Sequence, residues 1–159
     1  MGAFGDAFGL DTAGPGRQIW EMSLRLYHAP RSRSANALWM LADPLRWYHD
    51  LPAGVPDTGP FNPHFVRDIG VAFLAVGVGQ VWAAFRPAWR APLVGVAAIF
   101  AVGHAVLHVF DTARGAVPSD HWWLDMPGVY LPALVLGYAA LVFLRAKGAI
   151  HASRTHRKA

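Results

Sequence analysis

Residues 91–115 read APLVGVAAIFAVGHAVLHVFDTARG, and the reading of this stretch decides the fold. It is apolar for most of its length and then carries His104, His108 and Asp111. At about 3.6 residues per turn, spacings of four and three put all three on one stripe of a helix. An ionisable group inside a membrane-length segment is costly, and it faces a partner or a cavity when it is kept.

Working outward, two more stretches have the same character. Asn62-Pro63 is a strong helix start, with Asn as N-cap and Pro at the first helical position, and an apolar run follows to Phe85. Arg86-Pro87 ends that run, and Pro92 opens the His-bearing helix, which Gly115 is placed to close. A loop, AVPSDHWWLDMP, holds Trp122 and Trp123 at an expected aromatic belt. Asp125 is then placed to cap a last span over residues 126–146, with Pro132 two turns in to bend it. These spacings predict spans at 63–85, 92–113 and 126–146.

Residues 34–50, SANALWMLADPLRWYHD, are short of apolar length, and Asp43-Pro44 interrupts them. A spanning helix wants about 20 mostly apolar residues. The segment 35–50 therefore crosses only if it packs on protein and Asp43 pairs with Arg46; otherwise it lies in the interface. Residues 1–34 read as a cytoplasmic or interfacial extension, with RQIWEMSLRLYH leaning to an interfacial helix. Residues 147–159 read as a basic cytoplasmic tail. The fold class is thus all-α: a polytopic transmembrane helical bundle with three spans plus a first span or interfacial helix.

Bulk properties agree. The chain has 159 residues, 54% hydrophobic and 15% charged, against about 25% charged in soluble domains. It has no cysteine, which excludes disulfides, thiolate metal sites and iron–sulfur clusters. The Gly-rich start with Asp6 and Asp11 lacks an apolar signal core, so no cleaved signal peptide is expected. The basic balance does not point to nucleic acid, because the basic residues flank apolar segments. Residues 1–33, the loop 86–91 and the tail 145–159 hold eleven of the fourteen Lys and Arg. The positive-inside rule places that side, with the C-terminus, in the cytoplasm of a multi-pass bacterial inner-membrane protein. An even number of crossings follows, so four are expected, with 35–50 as the first.

This topology brings polar groups to one depth. His64, Asp68, His104, His108 and Asp111 are expected to converge near the outer face. His104 and His108 have the spacing by which a helix offers two imidazoles to one metal ion, although Ala105 replaces the Glu of an H-E-x-x-H protease. With N and O ligands only, the five residues suit a divalent transition metal. A haem fits less well, because two imidazoles on one stripe cannot clasp one porphyrin from both sides. Quinone binding would use a His with an Asp or Tyr near the membrane face, and the sequence does not favour it. The alternative to all of these is a hydrogen-bonded network tying the helices together. Arg67 is expected in an interhelical ion pair with Asp111 or Asp125. Gly70, Gly77, Gly79, Gly95 and Gly103 are expected to permit close helix packing.

The segment WMLADPLRWYHDLPAGVPDTGPFNPHFVRDIG, followed by GHAVLHVFD and DMPGVYLPAL, resembles a group of small uncharacterised bacterial integral membrane proteins. GPFNPHFVRDIG is its most specific part, and the likeness covers residues 38–145. It implies a four-helix membrane unit and carries no activity. Members of that group have an apolar first span, where this chain has Glu21, Arg25, Arg31 and Arg33. That departure suggests an N-terminal segment that docks on another protein. No complete catalytic motif is present. The expected function is therefore a non-catalytic accessory subunit of a larger membrane complex, in contact with the lipid bilayer and with other subunits. The alternative is a metal-binding membrane protein or enzyme using the His/Asp cluster.

Overall fold

The computed structural model describes residues 29–156, with side chains described for 34–145. The expectations for residues 1–28 and for the last three residues lie outside it. Among the described residues the chain is helical and has no strand. Helix α1 is Ala29–Ala42, α2 is Pro44–Asp50, α3 is Pro63–Phe85 and α4 is Arg90–Ala113. A short turn of helix, α5, covers His121–Leu124, and α6 runs Leu131–His156. A single π-helical turn, Met126–Tyr130, joins the last two.

Among the described residues three segments are long and apolar enough to cross a membrane: Pro63–Phe85, Pro87–Ala113 and Met126–Arg145. The 23 residues of α3 rise about 34 Å, which covers a hydrocarbon core of about 30 Å. The protein is a multi-pass membrane protein. Its interior and exterior support this independently. The contact between α4 and α6 is built from small side chains: Val94, Ala97, Ala98, Ala101 and Ala105 against Ala133, Leu136 and Ala139. The bulky apolar residues, including Ile99, Leu107, Leu134, Leu141 and Leu144, point outward. Water would penalise that arrangement and lipid does not, while small residues let helix backbones approach. Trp82 and Trp89 are exposed at one end of the bundle, and Trp122 and Trp123 at the other, as aromatic belts require.

The helix ends follow local chemistry. The Asn62 side chain accepts from the backbone N–H of His64 and of Phe65, each at 3.1 Å. Helix α4 closes on Gly115 at φ 73°, with Ala116 N–H donating to the Asp111 carbonyl at 2.9 Å and Gly115 N–H to the Thr112 carbonyl at 3.1 Å. That pair of bonds is the Schellman closure, which needs a left-handed residue where Gly115 stands. In the α3–α4 connection, Arg90 turns back and donates to the carbonyls of Ala83 and Ala84, each at 3.2 Å.

Among the described residues the helices form an open row: α1 packs on α3, α3 on α4, and α4 on α6. Helix α1 begins earlier than the expected boundary at residue 35 and stops at Ala42, so 35–50 is not one segment. Asp43 breaks it and caps α2, accepting from the Arg46 backbone N–H at 3.1 Å. The expected Asp43–Arg46 ion pair is present at 3.6 Å, on the surface. Helix α1 runs antiparallel to α3: Arg67 Nε donates to the Leu41 carbonyl, Gly70 faces Ala37 and Met40, and Gly77 faces Ser34. Equal steps on both helices set Ala29 level with about residue 82. The 14-residue α1 thus lies beside most of α3 despite its polar composition. Gly70 and Gly77 make that approach possible, since an added Cβ would come within 3.0 Å of Met40 Cβ and 2.8 Å of Ser34 Oγ. Gly95 and Gly103 do not serve packing as expected; a Cβ at either would meet open space. Helix α6 continues beyond Ala146 to His156.

Candidate functional site

The polar residues gather at the upper end of the bundle, the end that carries the α3 N-terminus. Helix α4 brings His108 there in its last turns. The sequence DHWWLD folds as one helical turn because its residues 121 and 125 are four apart, which sets both side chains on one side. The loop 51–61 comes across from α2, with its helical turn Val55–Thr58 starting after Gly54 in a left-handed conformation, φ 59°.

These three segments meet at two carboxylates and two imidazoles. His108 Nδ1 lies 2.7 Å from Asp125 Oδ2. His121 Nδ1 reaches the same oxygen at 3.4 Å, and His121 Nε2 reaches Asp57 Oδ2 at 3.4 Å. His121 is fully buried and Asp125 is 2% exposed, while the Asp57 side chain is 48% exposed. Gly54 covers His121: a Cβ there would stand 2.9 Å from Nε2. Thr112 Oγ1 donates to the His108 carbonyl at 2.9 Å. Tyr130 stands beside Thr112 and Asp125. Buried polarity of this density is tolerated when its groups have partners, and here the two imidazoles and the two carboxylates supply each other's, while the buried Tyr130 hydroxyl makes no hydrogen bond among the described residues.

Below His108, the network passes into aromatic contact. The His104 and His108 rings are edge to face at 4.5 Å, and His104 stacks on Phe100 at 6.0 Å with Phe73 edge-on at 6.1 Å. His104 also lines a shallow cleft with Phe73, Phe100, Ala101, Gly128, Val129 and Pro132.

Of the five residues expected to converge, the structure brings together two separate pairs, His104 with His108 and His64 with Asp68, and leaves Asp111 apart from both. His64 pairs with Asp68 one turn along α3 at 3.4 Å, and both are largely solvent-facing, 88% and 62% exposed. Asp111 pairs with Arg114 at 2.8 Å in the last turn of α4, where a flexible arginine three residues on is its nearest cation. Arg67 is not in the expected ion pair; its Nε donates to the Leu41 carbonyl, left over where Asp43 ends α1. Among the described residues no group of three or more His, Asp or Glu is arranged to hold a metal ion.

Asp125 does not cap the last helix with its side chain as expected. Its backbone carbonyl instead accepts from Val129 and Tyr130, at 2.8 and 3.2 Å, while the carboxylate turns to the two histidines. The sequence reading missed Asp57 and Gly54 altogether. Asp57 lies 64 residues from His121, and nothing local marks it. The four-residue spacing of His121 and Asp125 was a visible signal. Compared with protein-family models, curated proteins and solved structures, the chain has no match.

Proposed function

We propose that this chain is a non-catalytic accessory subunit of a larger membrane complex, held in a bacterial inner membrane with its C-terminus in the cytoplasm. One observation carries the reading: among the described residues the row of helices is open, and its first member is a poor lipid helix. Helix α1 has 14 residues, about 21 Å, and includes Arg31, Arg33, Ser34 and Asn36. It lies alongside a spanning helix, yet α3 is the only long helix it packs on extensively among the described residues. A helix too short and too polar for lipid gains stability from protein on its other side. The basic residues Arg145, Lys147 and Arg154 at the far end of α6 support the cytoplasmic placement of the C-terminus. Purification from native membranes in mild detergent tests the reading. The expected result is constant-ratio recovery with a larger membrane protein. A lone monomer, with no partner lost on the way, would falsify it.

A further inference from the structure

We propose that Asp57, His121, Asp125 and His108 form a proton-operated clasp that fastens the loop 51–61 to the α4 and α5 side of the bundle. The clasp concerns this chain alone and stands whether or not a partner subunit exists.

Donor counting carries the inference. Asp125 and Asp57, when ionised, only accept. His108 needs one N–H for its single carboxylate contact, which the neutral ring supplies. His121 is different: both of its nitrogens face carboxylate oxygens, Nδ1 toward Asp125 and Nε2 toward Asp57. A neutral imidazole has one donor and one lone pair, so it can satisfy one carboxylate and must repel the other. Only the doubly protonated ring closes both contacts. When the extra proton leaves, one contact has to open. Asp125 is buried and held also by His108, so it cannot turn away. Asp57 is half in water and can. The loop side therefore releases first.

Other groups near the clasp do not supply a substitute cation. On the loop the facing group is Asp57; from the 121–125 turn it is Asp125. From α4 it is His108, with His104 behind it, and from the π turn it is Tyr130. Arg114 is committed to Asp111. Tyr48 of α2 also ties the loop: its hydroxyl lies 2.7 Å from the Gly59 carbonyl and 3.5 Å from the Pro56 carbonyl. Release at Asp57 would loosen the turn Val55–Thr58 from His121 while the Tyr48 contacts stay.

The test is amide hydrogen exchange on the full chain in lipid nanodiscs, read as protection factors so that intrinsic pH effects are removed. The reporter is the Asp57 amide, which donates to the Gly54 carbonyl at 3.0 Å. The reference is the Trp47 amide in α2, bonded to the Asp43 carbonyl. On raising the pH, the reporter should lose about tenfold in protection and the reference should not change. Asp57→Ala, which removes the side-chain partner at a half-exposed position, should start with low protection and show no pH step. A flat wild-type profile overturns the clasp. So does a step that Asp57→Ala keeps.

Discussion

The Nδ1 atom of His108 and the Oδ2 atom of Asp125 are 2.7 Å apart, and they belong to different elements of the bundle, α4 and the turn before the last span. The contact is short enough for a charge-assisted hydrogen bond. It joins the end of one membrane helix to the beginning of another with the carboxylate withdrawn from water.

Asp125→Ala should therefore be the most damaging change at this end of the molecule. It leaves His108 without its carboxylate and His121 with one partner of two. Breaking a buried pair from one side costs about 3–5 kcal/mol. Intrinsic tryptophan fluorescence on heating in detergent should show a large drop in the melting temperature. Asp125→Asn keeps an acceptor oxygen and should lose less, about 1–3 kcal/mol.

Gly54→Ala should destabilise for two separate reasons. The residue sits at φ 59°, where an L side chain costs about 1–2 kcal/mol, and its new Cβ would press on His121 Nε2 from 2.9 Å. Gly115→Ala shares the backbone cost, at φ 73°, without the contact, since nothing lies within 4 Å. Comparing the two melting shifts separates strain from collision, and the Gly54 variant should be the less stable.

Gly77→Leu should push α1 off α3, because even a Cβ comes within 2.8 Å of Ser34 Oγ. Overpacking of this kind costs about 1–3 kcal/mol. Gly95→Ala, facing open space in mid-helix, should be neutral or stabilising by up to about 1 kcal/mol. A cysteine pair at Ser34 and Gly77 in this cysteine-free chain would report the approach, cross-linking readily when α1 is seated.

Asp111→Asn should change little, in contrast to Asp125. The Asp111–Arg114 pair is exposed on both sides, and such pairs contribute about 0–1 kcal/mol. The same unfolding assay should place this variant within error of wild type, even though the sequence groups Asp111 with the two histidines.

What the sequence made readable was local. Asn62-Pro63 and Gly115 mark helix ends through bonds between residues two to five apart, and the three spans follow from apolar length. His104 and His108 could be paired by spacing alone. What it hid was set by tertiary contact. Helix α1 has too little apolar character to advertise its place, which depends on two glycines of α3. Asp125 looked like a cap, since an acid before a helix usually is one. Its actual partners come from α4 and from its own turn, and the second acid of the cluster is supplied by a distant loop.

The alanine-lined seam between α4 and α6 has a consequence for how this chain can change over time. Its largest residues, Ile99, Leu134 and Leu144 among them, face a fluid that adapts to any apolar shape, so they are free to drift among themselves. Its smallest, Ala97, Ala101 and Ala133, are the ones a single extra methyl group would disturb. Ranking positions by bulk would point to the tolerant surface, and ranking them by smallness would point to the seam.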